Sequence, residues 1–168
     1  MRHFCLFVFA AGSVGSLALA QAPENLETVR EAFLKELNVL RAAKDVRALK
    51  RNPKLDEAAQ KHAENLAAKD KFGDDGKDPN ILDGKKLGDR LQAAGYEYSH
   101  SFQIVGMVTD PSRKTTTAQH AANEVKEWAK GANGDNLVDQ KYSETGIGVA
   151  KGKNGKWFYC GVLATPKE

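Results

Sequence analysis

Outside its N-terminal stretch, the chain offers few residues with site chemistry: His62, His100, His120, Cys160 and the aspartates of the segment Gly73 to Gly84, which are Asp74, Asp75, Asp78 and Asp83. Zinc needs imidazole, thiolate and carboxylate groups converging on one point. Cys5 lies in an N-terminal leader, so Cys160 is left alone and no Cys-based zinc or redox site can be built. Its place in the apolar run Trp157 to Leu163 predicts a buried thiol. His62 sits among alanines on a helix face with no acid at ligand-pair spacing. His120 follows Gln119 on another helix, and both imidazoles are expected to pack as ordinary helical histidines. His100 differs, because Ser99 and Ser101 flank it and Gln103 follows. A Ser/His pair attacks carbonyls only when an acid orients the imidazole and donors hold the oxyanion. Neighbours on a strand point to opposite faces, which argues against a working dyad. The aspartate segment also fails as a helix-loop-helix calcium site, which requires glycine at its sixth position. Counting from Asp78, that residue is Asp83, so a solvated acidic turn is expected.

Four amphipathic helices and three strands must position these groups. Leu26, Val29, Phe33, Leu37 and Leu40 recur by threes and fours and predict a helix from Leu26 to Lys44, capped by Asn25. Asn52 as cap and Pro53 at the first helical position open a second, presenting Leu55, Ala58, Ala59, His62, Ala63 and Leu66. A short third helix is expected from Lys85 to Ala94, with Asp83 as cap and Gly95 as stop. A fourth is expected from Thr115 to Lys130, stopped by Gly131. Phe102 to Val108 reads as a strand. Glu144 to Lys151 and Lys156 to Ala164 flank Gly152-Lys153-Asn154-Gly155, an Asn-Gly hairpin signal. Helices, a strand, a helix and a hairpin predict an α+β layered domain.

The length of 168 residues suits a single domain with its own core, and 41 % hydrophobic content argues against disorder. Arg2 and His3, the apolar run Phe4 to Ala11 and the ending Ala18-Leu19-Ala20 describe a secretory signal peptide over residues 1–20, cleaved before Gln21. Residues 21–168 then form the domain, and secretion is expected. Gly12, Ser13, Gly15 and Ser16 make the leader too weak for a stable membrane span, and the C-terminus carries no hydrophobic tail. A formal charge of +3 does not predict nucleic-acid binding. Arg47, Lys50, Arg51 and Lys54 lack interleaved aromatics and are expected to form a solvated basic face.

Several segments, in order, resemble the CAP superfamily of cysteine-rich secretory proteins, insect venom antigens and plant pathogenesis-related proteins. They are Leu37-Asn38-Val39-Leu40-Arg41, the stretch Leu49 to Ala63, Arg90-Leu91-Gln92-Ala93-Ala94-Gly95-Tyr96, the helix carrying Glu124, Val125 and Trp128, and Tyr142-Ser143-Glu144-Thr145-Gly146-Ile147-Gly148-Val149-Ala150. The resemblance covers nearly all of the chain after the leader. It implies a three-layer α-β-α sandwich and secretion. It also implies a cleft where two histidines and one or two glutamates hold a divalent metal. At the first histidine position this chain has Asp74, after Phe72-Gly73. The glutamate position falls on Phe102 or Gln103, depending on register. The second histidine falls on Asn133 or Gly134, and a second glutamate of some members on Gly131. An amide and one carboxylate cannot replace two imidazoles and a glutamate. No metal or other cofactor is therefore expected, and His100 stands as a possible cleft neighbour. The resemblance then implies a binding module for a protein receptor or a sterol or lipid. A hydrolase using a residual cleft, and an adhesion or surface antigen, are the alternatives.

Overall fold

Helix α1 (Leu26–Ala42) starts where the Asn25 carboxamide accepts the Glu27 N–H at 3.0 Å, and it buries Val29, Phe33 and Leu37. These coordinates are a computed structural model, which describes residues 25–74, 78–109 and 116–168. The expected signal peptide, its cleavage point and Asp75 lie outside the described residues. From within α1, Asn38 reaches across the turn that follows the helix. Its Oδ1 accepts the Leu49 N–H at 2.8 Å and its Nδ2 donates to the Leu49 carbonyl at 3.1 Å. That clamp lays strand β1 (Lys50–Arg51) against the sheet. Two residues are too few for any alternation to show, so β1 leaves no pattern in the sequence.

Helix α2 (Pro53–Lys69) begins as expected, with the Asn52 side chain accepting the Lys54 N–H at 2.9 Å. Helix α3 (Leu87–Ala93) starts two residues later than its pattern predicts. Asp83 is not its cap, because Asp83 turns into the left-handed region at φ 55°. The Asp89 carboxylate accepts the Lys86 N–H at 2.8 Å instead. Strand β2 (Tyr98–Thr109) extends beyond its apolar centre, since Tyr98, His100 and Ser101 also pair with the last strand. Helix α4 (Thr117–Lys130) follows, capped by Thr116. The one-turn helix α5 (Gly134–Leu137) was not anticipated. Strands β3 (Glu144–Lys151) and β4 (Lys156–Pro166) form the expected hairpin, with Gly155 at φ 76° in its turn.

The sheet runs β1-β3-β4-β2, antiparallel except for the parallel β1–β3 pair. Helices α1 and α4 cover one face through Phe33, Val125 and Trp128, which meet Ile104, Tyr159 and Leu163. Helices α2 and α3 cover the other through Leu55, Ala59, Leu66 and Leu91, which meet Val105, Phe158 and Cys160. This is the α+β sandwich expected from the sequence. Each fully buried leucine contributes about 1.5–3 kcal/mol, so the two apolar layers dominate stability. Cys160 has no exposed surface, as its apolar run predicted, and burial pushes its thiol up to about 12. Thiolate is therefore suppressed at neutral pH.

Strand β3 carries residues of alternating size. Ile147 and Val149 pack into the layer of α1, while Gly146 and Gly148 meet the α2 backbone. The glycines let α2 lie directly on β3. Two α2 side chains then satisfy the strand edge beyond β1. Asp56 Oδ1 accepts the Ile147 N–H at 2.9 Å, and Gln60 exchanges two bonds with Val149 at 3.0 and 2.9 Å.

Candidate functional site

Gln103 is the substituted cleft position that the fold buries most deeply, with 6 % exposure. It sits on the β2 face toward α2 and α3. Its Oε1 accepts Nη2 of Arg90 at 2.8 Å, and its Nε2 donates to Asn80 Oδ1 at 3.0 Å. Arg90, brought in by α3, also donates to the Lys85 carbonyl at 2.9 Å and the Asn80 carbonyl at 3.0 Å. His62, from α2, places Nε2 2.6 Å from the Pro79 carbonyl, where it acts as donor. Together these groups make a polar knot beneath the segment 78–86. Among the described residues, every acceptor on the Arg90 guanidinium is neutral and Arg90 Nε has no partner. The cleft position is thus filled from within by an arginine, two amides and an imidazole.

Asp74 stands at the rim of the same segment and is exposed. Its carboxylate accepts the N–H groups of Asp83 at 2.7 Å and Gly84 at 2.9 Å, and these donors lower its pKa. Asp74 closes a loop; its oxygens point at amides. The acidic turn is therefore organised around Asp74, and Asp83 is also paired with Lys69. Phe102 lies on the opposite face of β2 from Gln103, against Tyr142 with ring centroids 6.4 Å apart. Gly131 ends α4, its N–H donating to the Trp128 carbonyl at 3.1 Å. Asn133 is the exposed residue before α5, and Gly134 packs against Ala129. The structure thus brings Asp74 and Gln103 to one loop. Among the described residues, no hydrogen bond or ion pair joins Phe102, Gly131, Asn133 or Gly134 to them.

His100 is exposed on β2 opposite Thr165, and strand alternation puts it on the other face from Gln103. The two are not cleft neighbours. Ser99 Oγ donates to the Thr165 carbonyl at 3.5 Å and not to the imidazole. The reading of Arg51 as part of a solvated face also needs correction. Arg51 is half-buried and paired with Glu27 and Asp56.

Among the described residues, no group of three or more His, Cys, Asp or Glu could hold a metal ion. The donor set does not fit one either. Asp74 spends its oxygens on backbone amides, Gln103 is neutral, and the buried Arg90 cation would repel a divalent ion. Sequence reasoning passed over Asn80 and Arg90 and read His62 as an ordinary helical histidine. Nothing local separates a buried helical arginine from one that snorkels to solvent; the acceptors come from a distant loop.

Burial, and then the Arg90 charge, hold His62 down to about 4, well below the usual imidazole range. The unfolded chain therefore takes up this proton at higher pH than the native one does. The stability from His62 is complete above about pH 6.5 and is lost as pH falls toward 4. Between pH 7 and 5 the native state should lose about 2 kcal/mol through this group. Urea melts across that window, compared with His62→Gln, check it. An equal slope in the variant would exclude His62 as its source.

The CAP model, that of the cysteine-rich secretory protein family, matches residues 34–162. No curated protein matches the chain. Among solved structures, an outer surface protein of Borrelia burgdorferi has a TM-score of 0.67 at 13 % identity, over 86 % of this chain and 96 % of that one. An extracellular SCP-domain protein of Bacillus anthracis gives 0.64 at 16 % identity, over 83 % of this chain and 41 % of that one. A venom allergen-like protein of Schistosoma mansoni gives 0.51 at 14 % identity, over 83 % and 90 % of the two chains. The chain thus spans less than half of the Bacillus anthracis protein. At these identities the likeness is one of fold.

Proposed function

The chain belongs to the cysteine-rich secretory protein (CAP) family, and on that premise we propose that it is a secreted, non-catalytic binding module whose partner is a protein or a sterol or other lipid. One observation carries the reading. Where the family resemblance implies a metal-holding cleft, this chain has the Arg90–Gln103–Asn80 knot, whose acceptors are all neutral. A hydrolase needs a nucleophile, a base and a group that stabilises developing charge. His100, the base the sequence offered, faces solvent on the wrong side of β2. Secretion is supported by the basic, apolar, small-residue leader, and two of the similar structures are described as extracellular or outer surface proteins. No helix among the described residues is long and apolar enough to cross a membrane. The outer surface neighbour also favours a second reading, an adhesion or surface antigen.

The test combines zinc titration with substrate screening. Zinc should leave the melting temperature unchanged, whereas a specific ligand at one hundred times its Kd adds about 2.7 kcal/mol. Peptide and ester substrates should show no turnover, and His100→Ala should leave sterol or protein binding within a few fold. A rise of several degrees with stoichiometric zinc overturns the metal-free reading. Hydrolysis that disappears in a folded His100→Ala variant overturns the non-catalytic one.

A further inference from the structure

A cavity of about 350 Å³ opens between the first turn of α2, the α3–β2 connection and the ends of β3 and β4, lined by Asn52, Pro53, Lys54, Tyr96, Glu144 and Pro166 among others. That volume suits a small organic group or one long side chain. Its polar centre is Glu144. One carboxylate oxygen, Oε2, accepts both the Tyr96 hydroxyl at 2.7 Å and the Asn52 Nδ2 at 2.8 Å. The other, Oε1, has no partner among the described residues. Both donors are fixed. Tyr96 is 5 % exposed, and Asn52 uses its own oxygen to cap α2 through the Lys54 N–H. Burial and Glu144 raise the Tyr96 pKa well above the usual phenol range, so the hydroxyl remains a donor at neutral pH.

Both partners of the Glu144 carboxylate are neutral side chains. Glu27, Asp56, Glu57, Asp70 and Glu127 each have a lysine or arginine within ion-pair distance. Lys54, which lines this pocket, sends its ammonium to the Gly95 carbonyl at 2.7 Å. Two neutral hydrogen bonds orient the Glu144 carboxylate without cancelling its charge. The two proline rings and Tyr96 supply apolar walls beside it. An extended alkyl chain ending in an ammonium complements this arrangement: methylenes against the rings, nitrogen on Oε1. A bare divalent ion does not, because it would need several converging oxygens.

We propose that this pocket binds an alkylammonium group, and that its occupant is a lysine side chain presented by a protein partner. The proposal rests on the binding-module reading and gives that module's protein partner a chemical identity. Lys54, whose ammonium stands at the same rim, opposes an incoming cation by like-charge repulsion.

The experiment titrates the full chain with n-butylammonium, a lysine-containing peptide and the same peptide acetylated on the lysine Nε, following amide shifts and calorimetry. The free amine and the lysine peptide should both bind and perturb residues 52–54, 96 and 144. Acetylation, which removes the charge, should abolish binding. Glu144→Gln keeps an acceptor for Tyr96 and Asn52 and should weaken binding at least tenfold. Lys54→Ala, which lies outside that network, should tighten it a few fold. Equal binding of the acetylated peptide, an unaffected Glu144→Gln, or a Lys54→Ala variant that does not bind more tightly would each overturn the proposal. Vesicles containing phosphatidylethanolamine form a last arm. Glu144-dependent binding to them without binding to the peptide assigns the ammonium to a lipid headgroup and overturns the protein partner. Loss of every ammonium arm, with zinc and hydrolysis tests still negative, overturns the pocket and leaves the non-catalytic reading standing.

Discussion

Arg41→Met should lower the free energy of unfolding by about 3–5 kcal/mol, because it strips a shared charged donor from several backbone carbonyls at once. Arg41 has no exposed surface and lies at the end of α1. Its guanidinium donates to four backbone carbonyls: Arg47 at 2.8 Å, Leu137 at 2.8 Å, Asp139 at 3.1 Å and Tyr142 at 3.2 Å. The cation thus ties the end of α1 to the α1–β1 turn and to the whole α5–β3 connection. Methionine roughly preserves the volume but orphans the Arg47, Leu137 and Tyr142 carbonyls, while the Asp139 carbonyl keeps the Tyr142 N–H at 3.3 Å. Each orphaned buried acceptor costs about 1–3 kcal/mol, less whatever water recovers. Lysine should rescue only a minor part, because a single ammonium cannot reproduce the planar fork. Urea denaturation measures the effect as a fall in midpoint at unchanged slope. For a domain of this size the melting temperature should fall by roughly 10 °C. A loss below about 1 kcal/mol would mean that the α5–β3 connection holds its place without Arg41.

Helices α1, α2 and α4 were legible because their apolar residues repeat with the helical period, and for α1 and α2 the caps Asn25 and Asn52 stand in sequence beside them; the Thr116 cap of α4 was not read. The β3–β4 hairpin was legible through Asn154-Gly155. The misses share a cause. β1 and α5 are too short to carry a period and exist because Asn38 and Arg41 hold the neighbouring backbone. The polar first half of β2 becomes strand only because β4 offers it a ladder. Asp83 looked like a helix cap by position, but Asp74 takes its N–H from nine residues away. The site divided in the same way. Substitution at the family's cleft positions could be read residue by residue. The knot of His62, Arg90 and Asn80 could not, because long-range contacts decide which polar side chains are enclosed.

Gly148→Ala should cost about 3 kcal/mol or more, although it adds a single methyl group. A Cβ at this position would overlap backbone atoms of Ala59 and Gln60 in α2, and backbone cannot rotate aside as a side chain can. The helix must lift off the strand, and the distances show what that breaks. Four residues of helix advance about 6 Å, and two residues of strand about 6.6 Å. Asp56 and Gln60, four apart on α2, therefore come into register with Ile147 and Val149, two apart on β3. Moving α2 outward weakens three hydrogen bonds at once and loosens the contacts of Leu55 and Ala59 with the sheet. Ordinary overpacking costs about 1–3 kcal/mol; the coupled loss of edge bonds places this substitution at or above the upper end. Gln60→Ala is the companion measurement. It removes two of the three bonds without pushing the helix, so it should cost less than Gly148→Ala, about 1–3 kcal/mol. If Gly148→Ala proves the milder of the two, α2 does not ride on β3 as closely as described, and the small residues of Gly146-Ile147-Gly148 need another explanation.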